Sequence, residues 1–217
     1  MSTRSTLVVV AHPNLAGSRA NAAMVAAIGD LDNVTVHDLY AAYPDFRIDV
    51  AREQELLRTH DTVVLQFPLY WYSTTPLLKA WFDQVLTINF AFTFDGTASE
   101  LRGKQAWAAV TVGGDPGFYT REGFNTVAVE EYLRPLQQTL GICQFEDLGH
   151  LKVHGLMTGA LSDEDLALHA KQYRALLASG GSPATTLAAV NPCGDDHAAA
   201  RVLARLAGTH EDQPVDA

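Results

Sequence analysis

Gln66-Phe67-Pro68-Leu69-Tyr70-Trp71-Tyr72-Ser73-Thr74-Thr75-Pro76 joins two segments of opposite character. Upstream, Thr62-Val63-Val64-Leu65 is a short β-branched apolar run, the pattern of a parallel strand buried on both faces. Downstream, Leu77, Leu78, Trp81, Phe82 and Val85 recur at helical spacing, with Thr75 as an N-cap-like residue and Pro76 in the first turn. The stretch therefore reads as strand, loop, helix. Its loop carries Tyr70, Trp71 and Tyr72 in a row near the stiffening Pro68. Open α/β sheets bind ligands in loops at the carboxyl ends of parallel strands, and adjacent aromatics there suit a flat ligand.

The same alternation extends both ways. Thr6 to Ala11 reads as a first strand, His12 to Arg19 as a loop, and Ala20 to Ile28 as an Ala-rich helix. A second strand is predicted over 34–39, a loop at Tyr43-Pro44-Asp45-Phe46, and a charged helix from Asp49 to about His60. After the central strand and helix, residues 88–94 are aromatic and irregular. Strands are predicted over 104–112 and 144–153, and helices over 125–140, disturbed at Pro135, and 163–178. Strand and helix alternating about five times implies a parallel sheet with helices on both faces, built by right-handed crossovers. The fold class predicted is thus α/β, flavodoxin-like and five-stranded, in preference to a six-stranded dinucleotide fold. This domain spans residues 1–180. Beyond Gly180-Gly181-Ser182-Pro183 an Ala- and Gly-rich tail, 181–217, is predicted to be partly disordered, with a short helix over 197–207.

With 217 residues the chain is long enough for one domain with a full core. Its net charge of −10 argues against a nucleic-acid groove. Cys143 and Cys193 form neither a CxxC pair nor a zinc spacing, which fits a reduced compartment. The apolar run at 7–11 is short for a signal peptide, and no segment has the length of a membrane span. A soluble cytoplasmic protein is the expectation.

Three places carry candidate chemistry. Ser18, Arg19, Ala20 and Asn21 stand where the first strand hands over to a helix, whose unpaired N–H groups and dipole favour an anion, with His12 in reach. The competing reading is that Ser18 merely caps the helix and His12 packs. Neither GxxxxGK[ST] nor GxGxxG is present, so this is no P-loop or nicotinamide Rossmann site. The second place is Pro68 to Tyr72, either a wall for a planar heterocycle or an interface cluster. The third is Thr111-Val112-Gly113-Gly114, where glycines let backbone approach a ligand closely or simply make a turn, with Tyr119 nearby. All three fall at carboxyl ends of strands, which share one rim in a doubly wound sheet. A phosphate cradle, an aromatic wall and a glycine loop together describe a site for a mononucleotide with a wide planar ring, and flavin mononucleotide fits best.

Ala11-His12-Pro13 with 18–21, Tyr43-Pro44-Asp45-Phe46, the loop from Phe67 to Pro76 and Thr111 to Gly114 resemble the flavodoxin-like NAD(P)H:quinone oxidoreductases. The resemblance covers residues 5–178. It is strongest to the ancillary flavoproteins of glutathione-gated potassium efflux systems and more distant to DT-diaphorase. It implies a homodimer in which the flavin takes hydride from NADPH or NADH and passes two electrons to a quinone or another small acceptor. By the same resemblance His12 and residues 18–21 hold phosphate, while 68–72 and 111–114 hold the ring system. Tyr119 matches the Tyr of the Tyr–His pair in DT-diaphorase, and Asn125 stands at the His position. Asn does not titrate near neutrality, so Tyr119 and Asn125 are expected to act as hydrogen-bond donors. The shorter tail favours FMN, with FAD the alternative, and no metal is required. Two rival functions are a flavin-bearing regulatory subunit of a membrane potassium antiporter and a flavodoxin-type electron carrier.

Overall fold

The structure is a computed structural model that describes residues 4–95, 97–181 and 183. The helix expected over 197–207 and the tail lie outside them. Five strands form one all-parallel sheet in the order β2-β1-β3-β4-β5: β1 Thr6–Val10, β2 Val34–Asp38, β3 Thr62–Pro68, β4 Gln105–Thr111 and β5 Glu146–Val153. The crossovers carry α1 Arg19–Ala26, α2 Leu39–Ala42, α3 Val50–Thr59, α4 Pro76–Val85 and α5 Val129–Ile142, and α6 Asp163–Ser179 closes the fold. This is the predicted flavodoxin-like architecture.

Strand alternation divides the core in two. Leu7, Val9, Val63, Leu65, Phe67, Ala106 and Ala108 face α2–α5, whereas Val8, Val10, Val64 and Trp107 face α1 and α6. On α4, Leu77, Leu78, Trp81 and Val85 are buried, each contributing about 1.5–3 kcal/mol by the usual transfer scale. The chain leaves β1 toward β2 on one side and returns to β3 on the other, so the direction of winding reverses between β1 and β3. In register, Val10 faces Gln66 and Pro68 faces Thr111. The carboxyl ends of β1, β3 and β4 thus lie side by side, about 4.8 Å apart per step.

Several details depart from the sequence reading. β3 runs through Pro68 rather than ending at Leu65, because Ala11 N–H donates to the Gln66 carbonyl and Leu69 N–H to that of Thr111. Thr75 does not cap α4 with its side chain; its hydroxyl donates to the Ala11 carbonyl at 3.1 Å, tying α4 to the end of β1. The short α2 was not foreseen. Asp38 ends β2 and caps it, accepting from the N–H groups of Tyr40 and Ala41. α5 starts at Val129, not Asn125, and continues through Pro135, which removes one rung of the ladder.

Candidate functional site

The strand ends supply three pieces, beginning with the β1–α1 junction. Ser18 is the N-cap of α1, its Oγ accepting from the Asn21 N–H at 3.2 Å. The N–H groups of Arg19 and Ala20, at the first two helical positions, have no acceptor among the described residues. Ser18 Oγ also accepts from Asn21 Nδ2 at 3.3 Å, so its own proton remains available for donation. His12 is half-buried beside Tyr70, its ring edge-on at 6.2 Å. Its Nδ1 accepts from the Asn14 N–H at 3.1 Å, and burial lowers its pKa. In the neutral ring the proton is then on Nε2, a donor.

Two side chains of the predicted cradle are held by other partners. Asn21 does not lend its amide to an anion: it is 1% exposed, and its Nδ2 protons go to Ser18 Oγ and, at 2.9 Å, to Thr111 Oγ1. Its Oδ1 accepts from Gln66 Nε2 at 3.2 Å, and Gln66 Oε1 accepts from the Tyr173 hydroxyl at 2.9 Å. The amide is a buried brace joining α1, β3, β4 and α6. The Arg19 guanidinium is likewise engaged elsewhere, on Asp163 at 2.6 Å and the Leu161 carbonyl at 2.8 Å, leaving its backbone N–H as what it offers the cradle.

The second piece is a tight turn. Tyr70 and Ser73 exchange backbone hydrogen bonds at 3.0 Å, and Trp71 and Tyr72 between them have φ of 47° and 64°. Positive φ at both central residues is the type I′ geometry, disfavoured for bulky side chains at about 1–3 kcal/mol each. At the tip of this turn Trp71 is 93% exposed. Tyr72 stacks on Tyr132 of α5 at 4.8 Å. Pro68 is buried at the strand end and Leu69 packs on the core.

The third piece is the loop after β4. Thr111 and Val112 are buried, and the two glycines are half-buried. A Cβ on Gly113 would lie 2.8 Å from the Met157 sulfur, and one on Gly114 would lie 3.2 Å from Tyr119 Cε2. Only glycine fits without displacing these side chains. The N–H groups of Gly113, Gly114 and Asp115 have no acceptor among the described residues. Tyr119 lies over Gly114, edge-on to Tyr132 at 6.3 Å and to His154 at 5.7 Å. Burial and the neighbouring Tyr72 and Tyr132 raise its pKa, so it is a neutral donor. Asn125 closes the 118–125 loop, its N–H donating to the Phe118 carbonyl at 2.8 Å while its carbonyl accepts from the Tyr132 hydroxyl at 3.4 Å.

Sequence reasoning missed His154, Asp115 and Thr158. Asp115 is 3% exposed; its Oδ1 accepts from the Thr158 hydroxyl, and its Oδ2 has no donor among the described residues. The Gly155 turn beside His154 was the one available signal, and by itself it marks only a loop. No group of acidic, His or Cys side chains able to hold a metal occurs among the described residues, and no helix among them is long and apolar enough to cross a membrane.

N–H groups without acceptors among the described residues at the ends of β1 and β4, with an exposed aromatic turn at β3 between them, sit on the rim of a doubly wound, flavodoxin-like sheet. Residues 4–177 match the family model described as "Flavodoxin-like fold", and the chain belongs to that family. It is 41% identical over 181 residues, 83% of this chain and 96% of the relative, to the glutathione-regulated potassium-efflux system ancillary protein KefG of Cronobacter sakazakii. The crystal structure of general stress protein 14 of Treponema denticola in complex with FMN superposes with a TM-score of 0.73 at 36% identity, covering 80% of this chain and 97% of that one. That of an NADPH-quinone reductase from P. pentosaceus gives 0.69 at 32% identity, covering 78% and 95%.

Proposed function

We propose that the protein is an FMN-dependent NAD(P)H:quinone oxidoreductase. The observation that carries this reading is the meeting, on one rim, of two unpartnered donor sets with an outward-held indole: Arg19 and Ala20 N–H, then Trp71, then Gly113 to Asp115 N–H. Phosphate, planar ring and ring carbonyls need those three chemistries in that order. The FMN of the general stress protein 14 complex and the quinone-reductase activity in the name of the other neighbour support it.

In this reading Ser18, with the N–H groups of Arg19 and Ala20 and the Nε2–H of His12, binds the phosphate. Leu69 to Tyr72 bound the ring on one side, and within and just after the Thr111 to Gly114 segment the N–H groups of Gly113, Gly114 and Asp115 are offered to its polar edge. FMN, when bound, supplies the chemistry of accepting hydride from NADPH or NADH and delivering it to a quinone. Tyr119 holds a proton at its hydroxyl beside the site, and Asn125 fixes the loop that presents it. Trp71 and Tyr72 exclude water from one side. FAD, the alternative, would need a further site for its adenosine half. The protein acts as a cytoplasmic homodimer. The exposed Phe94, Phe124 and Ile142, and the groove between α4 and α5 lined by Phe82, Leu86 and Leu136, are apolar surface for a second copy.

The experiment is an anaerobic absorbance spectrum of the purified protein, then with NADPH, then with menadione. Flavin bands that bleach and return support the reductase. A second reading, a regulatory partner of a membrane potassium antiporter, is favoured by the efflux-system relative; bound flavin that NADPH does not bleach, with recovery of an antiporter in a pull-down, would select it. Failure to bind added FMN would sink both.

A further inference from the structure

The loop after β5 grips the glycine loop by its carbonyls. The Leu156 N–H reaches the Val112 carbonyl at 3.5 Å, the Met157 N–H reaches that of Gly113 at 2.9 Å, and the Gly155 N–H reaches that of Gly114 at 3.1 Å. Gly114 receives a second donor, His154 Nδ1, at 3.3 Å. A carbonyl only accepts, so Nδ1 carries the proton and Nε2 the lone pair. Burial lowers the His154 pKa to about 4, which keeps this neutral form at physiological pH.

Three successive carbonyls are thus drawn to one side. In a planar trans peptide the C=O of one residue and the N–H of the next point in opposite directions. The N–H groups of Gly113, Gly114 and Asp115 therefore face away from the 154–157 loop, and these are the three without an acceptor among the described residues. Backbone donors without partners in a glycine-containing turn form a concavity for negative charge. Donation to a carbonyl also strengthens the N–H at the other end of the same peptide. His154 does this to the Gly114–Asp115 peptide, while its ring rests edge-on against Tyr119 at 5.7 Å.

We propose that His154 is a positioning residue: through its bond to the Gly114 carbonyl it aims and polarises the Asp115 N–H, and thereby raises the preference of this site for reduced over oxidised flavin. The proposal rests on the flavin reading given above. Reduction places negative charge on the ring, and donors aligned beforehand bind that charge more strongly than the neutral oxidised ring. Among the described residues no other side chain donates to a carbonyl of residues 112–114, so His154 is where a single substitution acts on this donor set.

The test measures the two-electron midpoint potential of FMN-loaded protein against a reference dye, and the Kd for oxidised FMN by fluorescence quenching. His154→Phe keeps a ring against Tyr119 and removes the donor. It is expected to lose three- to tenfold in reduced-over-oxidised preference, a potential about 14–30 mV more negative, tenfold being 29.6 mV for two electrons. His154→Asn returns an N–H near the Nδ1 position and is expected within twofold of wild type. His154→Gln carries the amide one bond farther and is expected between the two, which keeps the comparison open if the Phe variant does not fold. A Phe or Gln variant at the wild-type potential, or an Asn variant that falls with Phe, overturns the proposal. Wild-type protein that binds no FMN overturns the flavin reading as well, and the two failures are separated by that first titration.

Discussion

Replacing Glu53 tests the logic of the core directly. Glu53 lies on α3, fully buried, and its carboxylate is met by three donors. Oε1 accepts from His37 Nε2 at 2.8 Å and from the Tyr43 hydroxyl at 2.5 Å, and Oε2 accepts from Trp81 Nε1 at 2.8 Å. Burial alone would push the Glu53 pKa up, but the bonds from His37, Tyr43 and Trp81 outweigh it and the net shift is downward. Glu53→Ala strands three buried donors from β2, the 43–49 loop and α4. Breaking a buried charged network of this kind costs about 3–5 kcal/mol, or about 6–20 °C in Tm for a chain of this size. Glu53→Gln keeps one acceptor oxygen and sets its NH2 group against a donor, for about 1–2 kcal/mol. Because the folded-state pKa is depressed, the carboxylate's contribution is present above the unfolded value of about 4.3 and is lost as pH falls toward the folded value. Urea melts followed by tryptophan fluorescence at pH 7 and pH 4 measure both effects. An Ala variant within about 1 kcal/mol of wild type at pH 7, with the same dependence on urea, would refute the reasoning.

Trp71→Ala is expected to leave the stability of the flavin-free protein unchanged within about 0.5 kcal/mol and to weaken FMN binding about 5- to 150-fold, the span of about 1–3 kcal/mol for aromatic stacking; equilibrium dialysis decides. Asn21→Ala leaves the Thr111 hydroxyl and one Gln66 amide bond unmet, with an expected loss of about 2–3 kcal/mol by urea denaturation. Ser18→Ala removes the α1 cap, for about 1 kcal/mol, and lowers FMN affinity, whereas Ser18→Thr restores both. Burial opposes ionisation of Glu130, but its bond to Lys152 wins and brings its pKa down to about 2. Carbon-detected NMR titration should show that midpoint, and Lys152→Met should return it to the ordinary carboxylate range.

What the sequence made legible follows from period and length. Buried parallel strands are near-continuous apolar runs, and Leu7 to Val10, Val63 to Leu65 and Ala106 to Val110 declare themselves. The end of β3 does not, because Gln66 and Pro68 read as loop residues. Gln66 is tolerated in a buried strand only because Asn21 and Tyr173, 45 and 107 residues away, satisfy its amide, and no local window contains them. α2 escaped for a related reason: four residues are too few to show a period.

The candidate site was legible where a single segment carries its own meaning and silent where the meaning is relational. Ser18 at a strand-to-helix junction, three aromatics in a row and a Gly-Gly pair can each be picked out from sequence neighbours, and it is their shared place at strand ends that turns them into one candidate site. His154 does not, since its role depends on which carbonyl lies 40 residues upstream in the chain. The same holds for Asn21, which as a motif residue looked like a ligand and as a structural one is a brace. Its bond to Thr111 spans 90 residues and fixes the start of α1 against the end of β4. That buried amide, together with the pairing of β1, β3 and β4, holds the start of α1 beside the glycine loop. A change at Asn21 therefore acts on both segments at once even though its side chain faces the interior.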